Sequence, residues 1–206
     1  MPDLPAFLSN GGQPVERAMT VARKKAAHAK RDAGKADINP HDALVLLTAD
    51  HNEIDKLVRE FERRRKTADH VEKGKLALRI CHALAVHATI KKEVFYPAAE
   101  AVLQGDDKEL LGKARVEHDG LRRLIAKIED MPSDHPTFDS TVMVLAEQAA
   151  RHMKKEEDEI FPRLQHSGLD LVGTGERMAA RKAQLATAPI DRRLIHQARK
   201  VMGGRP

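Results

Sequence analysis

The sequence predicts an all-α protein, built as an antiparallel up-and-down four-helix bundle with additional N- and C-terminal helices. Aromatic residues make up only 3% of the 206 residues and charged residues 33%, a composition that disfavours β-sandwiches and barrels. Four segments of about 23–33 residues carry apolar residues at spacings of three and four, which is typical of helices that bury one face in a bundle.

Turn and capping signals set the bounds of these four segments. Asn39 is predicted to cap the first helix, with Pro40 at its first position. Pro97 is predicted to bend or interrupt the second helix. A turn is expected at 104–107. The four helices are predicted over residues 40–66, 71–103, 108–130 and 136–165.

Charge divides the chain into an acidic centre and two basic ends. Residues 1–40 carry a net charge of +3 and residues 163–206 a net +6, whereas the middle carries −4. We expect a basic N-terminal arm (1–39), the bundle (40–166) and a basic C-terminal helical extension (167–206). The arms suit contact with a protein partner, but nucleic-acid binding is disfavoured because no aromatic residues interleave with the basic ones.

Cysteine content and hydropathy restrict the class of protein further. The single cysteine, Cys81, excludes an internal disulfide framework and zinc sites built on several cysteines. The N-terminal residues lack the basic and apolar runs of a secretory signal, and no stretch approaches the ~18 apolar residues of a membrane span. We therefore expect a cytoplasmic protein that does not associate with membranes.

An internal repeat places one histidine on the inner face of each predicted helix. His51 and His118 each follow an acidic residue, and His87 and His152 each precede a proline by ten residues. Two hairpins related by a pseudo-twofold axis would bring all four imidazoles into one core. Burying them without a shared partner would cost about 1–3 kcal/mol each, so the repeat predicts a metal site.

These motifs resemble the hemerythrin-like, or HHE cation-binding, family over about residues 41–166. The resemblance implies a non-haem di-iron centre whose ligands are His51, His87, His118, His152 and Glu156. Zinc or manganese would also suit such ligands. Dioxygen, peroxide and nitric oxide are the small ligands that the resemblance implies.

The first half of the repeat departs from the family pattern at Lys91, where a second bridging glutamate is expected. Asp55 is oriented to replace it, whereas Glu93 would lie on another face unless the helix carries a bulge. One hypothesis places the Lys91 ammonium in one metal position, paired with Glu156 or Asp55. The other turns Lys91 to solvent. The sequence is compatible with two metals, with one metal or with none.

Two functions follow from these observations. The first is a metal-binding sensor or carrier for oxygen, redox state, nitric oxide or iron supply. The second is a metal-free regulatory scaffold that binds a signalling protein or nucleic acid through its basic terminal helices. The sequence offers no separate nucleophile or acid–base pair, so a dedicated enzyme is disfavoured, and peroxide decomposition would be a side activity of the iron.

Overall fold

The computed structural model describes residues 39–187, and these residues form helices and no β-strand. The seven α-helical elements are α1 (Ala43–Arg64), α2 (His70–Ile90), α3 (Tyr96–Val102), α4 (Gly105–Asp130), α5 (Phe138–Lys155), α6 (Phe161–Gln165) and α7 (Leu171–Thr187). The π-helical segment Lys91–Phe95 joins α2 to α3, and Glu156–Ile160 joins α5 to α6. The predicted all-α bundle is confirmed, with α1, α2–α3, α4 and α5–α6 as its four long helices.

Two apolar layers fill the bundle and a layer of histidines lies between them. One layer includes Ile54, Phe61, Ile80, Leu121 and Leu145. The other includes Leu47, Phe95, Leu111, Phe161 and Leu164. Along α1 the chain passes from the second layer through His51 to the first, and along α2 it passes in the opposite sense through His87. The polar layer therefore crosses the bundle between two apolar ones.

The helix starts differ from the predicted ones because other residues act as caps. Asp42, not Asn39, is the N-cap of α1, and its carboxylate accepts hydrogen bonds from the N–H groups of Leu44 and Val45. Asn39 instead accepts from the His41 N–H, one turn earlier. The turn expected at 104–107 is present, since the Asp107 N–H donates to the Gln104 carbonyl and Gly105 adopts a positive φ of 53°. Helix α4 nevertheless begins at Gly105, three residues before the predicted start.

Each π-helical segment begins six residues before a proline, Pro97 or Pro162. The wider turn is visible in the hydrogen bond from the Tyr96 N–H to the Lys91 carbonyl, five residues earlier. A proline lacks an N–H, and its ring clashes with the carbonyl four residues before it in a regular α-helix. The extra residue in the turn relieves that conflict. The predicted bend or interruption at Pro97 thus takes the form of a π-helical segment, beyond which the helix continues.

Helix α7 packs against α1, α2 and the first π-helical segment. Met178 and Thr174 of α7 are fully buried there. A Cβ on Gly175 would lie 2.7 Å from the Ala43 backbone nitrogen, so this glycine allows the close approach of α7 to the start of α1. The predicted C-terminal extension is helical over Leu171–Thr187. Residues 188–206 and the predicted N-terminal helix lie outside the described residues. Within residues 39–187, no helix combines the length and apolarity that a bilayer span requires.

Candidate metal centre

The four repeat histidines meet in the middle of the bundle, one from each long helix. All four side chains are buried. The ring centroids of His51 and His87 are 4.9 Å apart, those of His87 and His118 5.9 Å, and those of His118 and His152 4.3 Å. The repeat register thus brings the imidazoles together as the sequence predicts.

Glu156 lies at the centre of this histidine layer and divides it into two half-sites. The first half-site is formed by His51, His87 and Glu156, and the second by His118, His152 and Glu156; in each, the ligand atoms lie within 4.8 Å of one another. The Oε2 atom of Glu156 is 3.5 Å from His51 Nε2, and its Oε1 atom is 2.9 Å from His152 Nε2. One carboxylate therefore faces both half-sites.

Acidic residues hold the outer nitrogens of three of the rings. Asp50, which precedes His51, lies 3.4 Å from Nδ1 of His87. Glu117, which precedes His118, lies in the same way 2.7 Å from Nδ1 of His152. An imidazole that donates from Nδ1 keeps a lone pair on Nε2, the nitrogen that faces the centre. The sequence shows an acid directly before His51 and before His118, but it does not indicate that each acid contacts the histidine of the following helix.

The third acidic partner is Glu157, whose Oε1 lies 2.7 Å from Nδ1 of His51. The fourth ring, His118, has a buried Nδ1 that makes no hydrogen bond within residues 39–187. Burial lowers the pKa of His87 to about 4 and holds the pKa of His118 well below its ordinary range. Both rings are therefore neutral at neutral pH, the form that binds a metal.

Lys91 is fully buried and donates a hydrogen bond to Oε1 of Glu156. Its Nζ lies 5.2 Å from the centre of the Tyr96 ring and 5.7 Å from that of Phe95. Burial lowers the pKa of the Lys91 ammonium, although Glu156 opposes this shift. Burial would raise the pKa of Glu156, but the nearby Lys91 charge holds it well below its usual range. The alternative in which Lys91 reaches solvent is wrong.

The two carboxylates proposed as substitutes for the missing glutamate lie outside the centre. Asp55 is half exposed and pairs with Arg59, one turn further along α1, at 2.8 Å. Glu93 lies in the π-helical segment yet still faces outward, where it accepts a hydrogen bond of 2.6 Å from Arg181. The bulge that could have turned Glu93 inward exists, but Lys91 is the residue that occupies the interior.

Helix α7 reaches the centre through Asp50. Lys182 donates a hydrogen bond to Oδ1 of Asp50, whose other oxygen faces His87. Burial would raise the pKa of Asp50, but hydrogen bonds from His87 and Lys182 lower it overall. A largely apolar groove of about 630 Å³ between α1, α2 and α7 opens beside this Asp50–Lys182 pair. Two of the basic residues of the C-terminal extension, Arg181 and Lys182, thus pair with acids of this same chain.

The residues of the first half-site fit a metal ion. His51 Nε2, His87 Nε2 and Glu156 Oε2 are all buried, and none makes a hydrogen bond in the described part of the chain. Unpaired polar atoms in a protein interior are costly, and two imidazoles with a carboxylate are a donor set that iron, zinc or manganese accepts. A metal ion would satisfy all three atoms at once.

Comparison with known proteins agrees with this geometry. Residues 42–164 match the model of the hemerythrin HHE cation-binding domain. The crystal structure of a hemerythrin HHE cation binding domain-containing protein from Mycobacterium kansasii is similar in fold, with a TM-score of 0.60 and 22% identity, over 70% of this chain and 86% of that one. A comparison with curated proteins gives no match. The chain belongs to the hemerythrin HHE cation-binding domain family.

Proposed function

We propose that this chain binds non-haem iron in its histidine layer and senses or handles dioxygen, peroxide, nitric oxide or iron supply through it. One observation carries the proposal: three buried ligand atoms, on His51, His87 and Glu156, converge without hydrogen bonds in the described residues. Bound iron would supply a change of oxidation state and open coordination positions for a small molecule. Peroxide decomposition is a side activity under this proposal.

The chain's own residues support binding in two ways. Glu157 and Asp50 orient the rings of His51 and His87, so that Nε2 of each ring presents a lone pair to the centre. The apolar layers on either side keep bulk water away from the polar layer. A small neutral ligand such as nitric oxide enters such surroundings at little cost, since it has few hydrogen bonds to lose.

Metal content and response to nitric oxide test the proposal on the full-length chain. The protein is loaded with ferrous iron without oxygen, desalted, and measured by elemental analysis and by optical and paramagnetic resonance spectra before and after nitric oxide. We expect iron to be retained and the spectra to change. His87→Ala should lose the iron, whereas His82→Ala, a change at an exposed histidine of the same helix, should not. Equal retention by both variants, or none by the wild type, would contradict the proposal.

The metal-free scaffold is the second candidate, and the Lys91–Glu156 pair favours it. This pair gives Glu156 a cationic partner without any metal. A scaffold should show no rise in melting temperature with ferrous, manganous or zinc ions, because a ligand that does not bind the folded state cannot stabilise it. Under this second proposal, the regions that precede and follow residues 39–187 would bind the scaffold's partner.

A further inference from the structure

The two half-sites share Glu156, but they do not offer equal numbers of available ligand atoms. We propose that the centre takes one metal ion, on the His51–His87 side, and that the Lys91 ammonium permanently replaces the second. This inference rests on the proposed iron binding. It specifies how many iron ions bind, where they bind and how many electrons the centre exchanges per chain.

Available lone pairs distinguish the half-sites. In the first, Nε2 of His51, Nε2 of His87 and Oε2 of Glu156 make no hydrogen bonds among the residues described. In the second, Nε2 of His118 and Nε2 of His152 lie 2.9 Å apart and share a hydrogen bond. One of those two nitrogens carries the proton of that bond, so both rings can bind a metal ion only after this proton is released.

Lys91 reaches the second half-site through the carboxylate of Glu156. Its ammonium binds Oε1 of Glu156, the oxygen that also lies 2.9 Å from His152 Nε2 and 3.9 Å from His118 Nε2. The ammonium thus stands among the atoms that would otherwise surround a metal ion. A divalent ion could enter only by expelling Lys91 or by accepting a like charge at close range in a poorly screened interior.

A second difference between the two halves of the repeat, at Lys92, also makes the half-sites unequal. Glu156 and Glu157 follow His152 at four and five residues, and Lys91 and Lys92 follow His87 at the same distances. Glu157 holds Nδ1 of His51 at 2.7 Å. The corresponding residue for His118 would be Lys92, which is exposed, and Nδ1 of His118 makes no hydrogen bond in the described residues.

The two substitutions therefore act unequally on the half-sites. A carboxylate at position 91 would bridge both metal positions, but the Lys91 ammonium that replaces it lies against Oε1 of Glu156, the oxygen of the second half-site. Lys92 removes the acid that would orient His118, whereas Glu157 still orients His51. A single iron exchanges one electron between its ferrous and ferric states, whereas reduction of peroxide to water consumes two. The centre accordingly suits a one-electron or ligand-binding response better than a two-electron reduction within one chain.

The matched variants His51→Ala and His118→Ala test the position of the metal. Each removes one imidazole from an equivalent place in the repeat. After anaerobic loading of the full-length chain with ferrous iron, elemental analysis should give one iron per chain for the wild type and for His118→Ala. His51→Ala should give none. Circular dichroism and the urea midpoint establish that both variants are folded.

Lys91→Glu tests the stoichiometry and does not depend on the alanine variants folding. Restoring a carboxylate there should raise the iron content twofold, from one to two per chain, and a redox titration should show the electrons per chain doubling with it. Two irons in the wild type, or iron lost from His118→Ala and kept by His51→Ala, would overturn the single-metal arrangement while leaving iron binding intact. No iron in any of the four proteins would overturn the proposed iron binding itself.

Discussion

Replacing Lys91 by methionine should destabilise the metal-free protein strongly. Methionine fills much of the same volume but leaves Glu156, only 1% exposed, without its cation. Removing one member of a buried ion pair costs about 3–5 kcal/mol, because the remaining charge stays desolvated. For a domain of this size, that corresponds to a fall in melting temperature of roughly 6–20 °C.

Urea unfolding of the full-length chain in the presence of a chelator measures this cost. The exposed neighbour supplies the control, since Lys92→Met should change stability by less than about 0.5 kcal/mol. The double variant Lys91→Met/Glu156→Gln should recover much of the loss, because it removes both charges together. Refutation would come from a Lys91→Met cost below about 1 kcal/mol, or from a double variant as unstable as the sum of its single changes.

Three further predictions concern packing, the buried thiol and acid stability. Gly175→Ala should destabilise the packing of α7 on α1, since the new Cβ would collide with the backbone of residues 41–43. The control Gly112→Ala, whose Cβ would meet nothing within 4 Å, should stabilise the protein slightly. Equal urea midpoints for the two variants would contradict this prediction. Burial raises the pKa of Cys81 to about 12, so a thiol reagent at pH 8 should modify it only after unfolding; rapid labelling of the native chain would count against the fold. Burial lowers the pKa of His87 from 6.5 to about 4, so as the pH falls this histidine takes up a proton in the unfolded chain before it does so in the folded one. The metal-free protein should therefore lose up to about 3 kcal/mol of stability between pH 6.5 and 4. A stability that does not change over this pH range would argue against a neutral buried ring.

The sequence allowed the histidine layer to be predicted because helical periodicity and an internal repeat both constrain it. His51, His87, His118 and His152 occupy matching positions on inner faces, and helix geometry alone brings such positions together. Glu156 followed from the same rule, since a residue four positions after His152 lies on the same face. The helix count and the approximate helix bounds rested on the same periodic pattern.

Contacts between helices could not be read from periodicity. Asp55 was predicted to be better placed than Glu93 because it lies one turn from His51, yet both lie outside the centre. Asp50 instead reaches a histidine on the neighbouring helix. Periodicity assigns a residue to a face but does not say which side chain across the interface it meets. The start of α1 was misplaced for a similar reason, since Asn39 and Asp42 are both good caps and only the packing of the chain selects Asp42.

The π-helical segments show where local sequence could have said more. Each segment lies just before a proline that the helix continues through. A proline inside a long amphipathic pattern is therefore a recognisable signal for a π-helical turn that accommodates it. At Pro97 a bend or an interruption was predicted, without its π-helical form. Lys91 is the first residue of one π-helical segment and Glu156 the first residue of the other. Both segments therefore begin at the residues that face the centre.

A crystal of the full-length chain grown with ferrous iron, measured on both sides of the iron absorption edge, tests the central claim most directly. The account predicts one anomalous peak per chain, bounded by Nε2 of His51, Nε2 of His87 and Oε2 of Glu156, with the Lys91 ammonium still on Oε1. Two peaks flanking Glu156, or a single peak between His118 and His152, would contradict it.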